Sequence, residues 1–147
     1  MNNAHPFREV CDVDPVISIT DDRSEVTLRL NHFVSRLKFK WTESIFYYRI
    51  LLSVFEMPDV EWSDDKKKYL PAYEHSTLGK KTVAGDWIAV ASNPIDFQIS
   101  AAFDQNSLPR EKTMVVVSMG VEFASILQID SPYFVKDNGT MEIVACL

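Results

Sequence analysis

His75, Ser76 and Asp86 supply the residue types of a base, a nucleophile and an orienting acid. That chemistry needs the imidazole within hydrogen-bond reach of the hydroxyl, and adjacent residues of an extended chain point to opposite faces. No Gly-x-Ser-x-Gly elbow is present, so His75 reads as an exposed loop histidine. The stretch Thr77-Leu78-Gly79-Lys80-Lys81-Thr82 ends like a phosphate-binding loop. The first glycine of that motif would fall at Glu74, however, and Lys81 stands where Ser or Thr must hold the metal. His5, His32 and His75 are far apart, with no cysteine or histidine at ligand spacing. The acidic pairs Asp12/Asp14, Asp21/Asp22 and Asp64/Asp65 lack the rest of a calcium loop. The expectation is a chain with no catalytic residue, cofactor, metal or small-molecule substrate. A hydrolase built on scattered acids or His75 stays open only if the fold brings such groups together.

What remains is the chemistry of surfaces. Lys66, Lys67, Lys68, Lys80 and Lys81 bracket Tyr69, Leu70, Pro71 and Tyr73. Lysines meet phosphates of lipid or nucleic acid, and exposed Tyr and Leu sit at a membrane interface or dock on a partner. The same run also reads as a solvated lysine face with Tyr69 and Leu70 packed on the core. A second basic face is Arg36, Lys38 and Lys40. Its aromatic neighbours fall on the opposite side of an extended strand, which argues against base stacking in single-stranded nucleic acid.

The surfaces must be carried by one domain. A length of 147 residues fits a single core, and 46% hydrophobic with 24% charged residues is the balance of a globular chain rather than a disordered one. No apolar run is long enough to span a bilayer as a helix. The polar N-terminus does not read as a secretory signal, so an intracellular location is expected and Cys11 and Cys146 are expected to be reduced. The Asn138-Gly139-Thr140 sequon is then unused. Net charge is −6, so an anionic partner must meet a local patch rather than the whole field. The layout is uneven: residues 23–49 are mainly basic, 50–65 hold Glu56, Asp59, Glu61, Asp64 and Asp65 without a base, and 66–81 turn basic again.

Alternation places strands at 15–20, 25–31 and 95–103, where Ile95, Phe97, Ile99, Ala101 and Phe103 face inward. Residues 36–41 read as a strand with Leu37, Phe39 and Trp41 on one face and the three cations on the other. Residues 42–58 read as a helical first turn, capped by Thr42, leading into a buried strand. Residues 59–82 read as a long charged loop. Short strands follow at 86–92, 113–123, 124–130 and 141–147, with Lys136–Gly139 a turn. The predicted fold is a single α+β domain over 15–147, dominated by twisted antiparallel sheet with one or two helices, behind an acidic segment at 1–14.

Three segments in order resemble the matrix proteins of rhabdoviruses. FYYRILLSVF at 46–55 resembles that family's hydrophobic strand after its first helix. KYLPAYEHSTLGKK at 68–81 is similar to its Tyr-Leu-Pro…Gly-Lys loop, and PIDFQISAAFDQNS at 94–107 to its amphipathic strand ending in an acidic turn. MVVVSMGVEF at 114–123 occupies the place of another core strand. The chain departs from the family in its acidic N-terminus, which lacks a basic arm and a Pro-Pro-x-Tyr motif, in its acidic net charge and in its shorter length.

The resemblance implies a non-enzymatic viral structural protein that self-associates and bridges nucleocapsid to the inner face of a membrane. The lysine-rich loop would then touch anionic head groups or the nucleocapsid. The alternative is a small intracellular adaptor or immunity-type protein, whose acidic surface, Asp59, Glu61, Asp64 and Asp65 included, binds a basic protein.

Overall fold

A computed structural model describes residues 6–40, 45–72, 79–104, 109, 113–128 and 131–147. Among these residues two short helices, α1 (Phe7–Val10) and α2 (Ser35–Lys38), accompany ten strands. These are β1 (Val16–Ile19), β2 (Glu25–Phe33), β3 (Tyr47–Met57), β4 (Val60–Ser63), β5 (Lys68–Pro71), β6 (Lys80–Ala84), β7 (Ile88–Ala89), β8 (Ile95–Ala102), β9 (Met114–Gln128) and β10 (Ser131–Cys146). Every described pairing is antiparallel. The fold is α+β and dominated by sheet, as the alternation predicts.

One sheet runs β1-β2-β8; a second runs β10-β9-β3-β6, with β7 also on β3; β4 and β5 form a separate two-stranded sheet. The central pair is β3 with β9, in register from Tyr47 opposite Ala124 to Met57 opposite Met114. The period of two sends Tyr48, Ile50, Leu52 and Val54 of β3 and Val115, Val117, Met119, Val121 and Phe123 of β9 to the same face. They pack there with Val26, Leu28, Leu30 and Phe33 of β2 and Ile99 and Ala101 of β8. Burying each such side chain stabilises the fold by about 1.5–3 kcal/mol.

The N-terminal stretch contributes to this core, with Phe7, Val10, Cys11 and Val13 all buried. Burial pushes the Cys11 thiol up to about 12, against only partial relief from the Arg8 charge. Cys146 is exposed. In the native protein a thiol reagent at pH 8 is therefore expected to modify Cys146 alone, with Cys11 reacting only after denaturant is added. Two equivalents consumed natively would contradict the packing.

Outside residues 59–82, four elements differ from their sequence reading. Residues 35–38 form a helical turn, not part of a strand: the amides of Leu37 and Lys38 both reach Val34 O, and Phe39 N reaches Ser35 O. The turn buries Phe39 and leaves Leu37 77% exposed, which breaks the alternation that suggested a ribbon. Residues 45 and 46 precede β3 without helix, and Thr42 lies outside the described residues. The stretch Met114–Gln128 is one continuous strand rather than two. Lys136–Gly139 lies inside β10, where the pairing jumps from Phe134↔Ala124 to Gly139↔Glu122, so the segment is a bulge, not a chain reversal.

Gly120 sits at a close approach. A Cβ there would meet Met141 Cε at 3.1 Å and Leu51 Cδ1 at 3.2 Å. Gly120→Val is expected to cost about 1–3 kcal/mol by overpacking, measured by urea denaturation; no loss would mean that Met141 swings aside.

Candidate functional site

The segment 59–82 is not a continuous loop. β3 ends at Met57; β4 and β5 then form a hairpin that pairs with neither larger sheet, and β6 returns to pair with β3. The hairpin closes through Ala72 N donating to Asp59 O at 2.8 Å. Its tip is the turn Asp64–Lys67, where Lys67 adopts a left-handed φ of 49° and Ser63 Oγ accepts from Lys66 N. Cross-strand pairing puts Trp62 opposite Tyr69 and Val60 opposite Pro71, so these four share one face. The rings of Trp62 and Tyr69 meet edge to face, 5.2 Å between centroids. All the same, Val60, Trp62 and Tyr69 stay 62%, 51% and 68% exposed. These large apolar side chains on an isolated hairpin, uncovered by any described element, form the candidate surface.

The charges divide along the hairpin. Its first arm and turn carry Asp59, Glu61, Asp64 and Asp65; the turn and second arm carry Lys66, Lys67 and Lys68, all exposed. Asp64 accepts from Trp62 Nε1 at 3.1 Å and lies 3.6 Å from Lys67 Nζ. That exposed pair is worth little by itself. Lys66, Lys68, Asp59, Glu61 and Asp65 have no ion pair within 4.0 Å.

The other expected contact residues are spread out. Lys80 is exposed and Lys81 half-buried on the sheet strand β6, paired with Phe55 and Val54. Lys81 Nζ lies 3.8 Å from Asp104 Oδ1. Leu70 is half-buried on the hairpin's other face, and Tyr73, His75 and Ser76 lie outside the described residues. Thus Lys66, Lys67, Lys68 and Tyr69 share one hairpin, whereas Lys80 and Lys81 belong to the sheet. Of the five lysines, Lys67 and Lys81 each have a carboxylate within 4.0 Å.

The second basic face is the α2 turn. Arg36, Leu37 and Lys38 are exposed. Lys40 donates to Arg8 O at 3.1 Å and lies 4.0 Å from Asp12. Ser35 anchors the turn: buried, it accepts from Ala91 N at 2.9 Å and donates to Ala91 O at 3.2 Å. Val60, Trp62 and Leu37 were not singled out by sequence reasoning. The alternation of Val60 and Trp62 ahead of Asp64-Asp65 is a strand-then-turn signal that identifies the hairpin, but nothing in the sequence marks Leu37 as exposed.

At the base of the hairpin Glu56 is 2% exposed. Its carboxylate accepts from Thr113 Oγ1 at 2.8 Å and Gly79 N at 3.1 Å. Glu56→Leu strands those donors and is expected to cost about 1–3 kcal/mol, read from urea midpoints, with Glu56→Gln milder. Equal losses would show that charge, not acceptance, is what the site uses.

Among the described residues no group of three or more His, Cys, Asp or Glu is arranged to hold a metal ion. No helix among them is long and apolar enough to cross a membrane. Comparison with protein-family models, curated proteins and solved structures gives no match.

Proposed function

We propose that the chain is a non-enzymatic, viral matrix-like structural protein that self-associates and bridges a nucleocapsid to an anionic membrane face inside the cell or virion. The observation that carries this reading is the β4–β5 hairpin, with an exposed apolar side at Val60, Trp62 and Tyr69 and three lysines at its end. The collinear resemblance of 46–55, 68–81 and 94–107 to rhabdovirus matrix proteins supplies the biological setting. An apolar side suits contact between copies, and the lysines suit phosphate head groups. Each lysine near an anionic surface contributes about 1 kcal/mol. Asp64 and Asp65 offset part of that, so a single copy binds weakly and the assembled lattice binds by avidity.

The test is co-sedimentation with vesicles containing phosphatidylserine against neutral vesicles. Replacing Lys66, Lys67 and Lys68 together by Glu is expected to weaken anionic binding about tenfold or more, with high salt doing the same to the unmodified chain. Unchanged binding, or no binding by the unmodified chain, would remove the membrane role.

A second reading is favoured by Asp59, Glu61 and Asp65, exposed and without ion pairs on the same hairpin. An adaptor would use them to hold a basic protein partner. Asn and Gln replacements at these positions would then abolish capture of that partner while leaving vesicle binding intact.

A further inference from the structure

The acids of the hairpin and the cations of the α2 turn are complementary. We propose that the β4–β5 hairpin of one copy docks on the α2 turn of a second copy, head to tail; this rests on the self-association in the reading above.

At the turn, Leu37 projects with 77% exposure between Arg36 and Lys38, neither of which has an ion pair within 4.0 Å. The Ser35–Ala91 bonds hold its backbone in place, so little order has to be imposed on binding. Beside it opens a pocket of about 190 Å³, lined by Val13, Leu30 and Phe33 together with the polar Asp14, Asn31, His32 and Lys38. The hairpin presents what this surface lacks: unpaired carboxylates at Asp59, Glu61 and Asp65, with Glu61 on the face opposite Trp62 and Tyr69.

Charge selects this pairing. Two copies carrying −6 each repel, which disfavours a contact that faces acid with acid. The first arm of the hairpin, with Asp59 and Glu61, faces acid with base at the turn, while Lys66, Lys67 and Lys68 lie at the tip and second arm. Because the two surfaces differ, the contact is heterologous: each added copy leaves one free hairpin and one free turn, so copies continue to add, unless the rotation closes a ring. Such growth is what a layer-forming protein needs. An anionic membrane would satisfy the cations of the turn equally but leave the hairpin acids unpaired, and it is an outcome of the test.

The experiment is sedimentation velocity on the full chain over a range of concentrations. The variants are R36E/K38E, D59K/E61K, an equimolar mixture of the two, and a chain with all four changes. Thermal unfolding monitors the fold of each. Like charges meeting across a contact are expected to weaken association about 100-fold in either double variant alone. The mixture and the fourfold variant regain it, because acid again faces base. Double variants that assemble like the unmodified chain place the contact elsewhere and overturn this inference while leaving self-association standing. Failure of both the mixture and the fourfold variant to recover also overturns it. So does retained association combined with loss of binding to phosphatidylserine vesicles in R36E/K38E, which would give the turn to lipid. An unmodified chain that never associates overturns the inference and the self-association together.

Discussion

Phe39→Ala is expected to lower stability by about 3–5 kcal/mol, the range for removing a buried aromatic ring. The Phe39 ring lies edge-on to Phe33, Tyr48 and Phe123, with centroids 5.5, 4.9 and 5.0 Å away. It therefore ties the residue after α2 to β2, β3 and β9 at one point. Truncation removes transfer energy and ring contacts and leaves a cavity that three neighbouring rings cannot easily fill. For a chain this size the loss lowers the melting temperature by about 10 °C or more. Since a domain holds only about 5–15 kcal/mol in total, a share of the chain would unfold near body temperature. Phe39→Leu should recover more than half of the loss. A melting temperature within a degree or two of the unmodified chain would show that Phe39 is not the node described.

Replacing Trp62 and Tyr69 together by Ser should do the reverse: little to the fold and much to assembly. Both are more than half exposed and touch mainly each other, so the cost falls on an isolated hairpin and the global melting temperature should move by no more than about 2 °C. In a contact between copies, Trp and Tyr are the residue types that carry the largest losses on truncation, about 2 kcal/mol or more each. That is about 30-fold per ring in dissociation constant, and the pair together should weaken association at least about 100-fold. Light scattering on the two chains at equal concentration measures it. A large fall in melting temperature with unchanged association would assign the rings to the core instead.

The amphipathic strand at 95–103 and the apolar runs at 47–57 and 114–123 were legible because their burial pattern is local: side chains alternate, or most of them are apolar. Phe97, Ile99 and Phe103 face as expected. The α2 turn was not legible. Leu37, Phe39 and Trp41 imitate a strand, and bonds to a residue distant in sequence, from Ser35 and Arg36 to Ala91, hold the chain in a turn there. The hairpin was half legible. Its lysines and Tyr69 stood out by type, but charge density hid the short alternation of Val60 and Trp62. The expected union of Lys66, Lys67 and Lys68 with Lys80 and Lys81 read proximity in sequence as a shared surface. The hairpin and β6 belong to different sheets, and acids at Asp64 and Asp104 approach two of those lysines.

Light scattering along a dilution series of the unmodified chain at physiological salt bears most directly on the assembly role. The average mass should climb with concentration past that of two chains, and the chain lacking both hairpin rings should stay at the mass of one over the same range. A single-chain mass for the unmodified protein at every concentration would contradict the account.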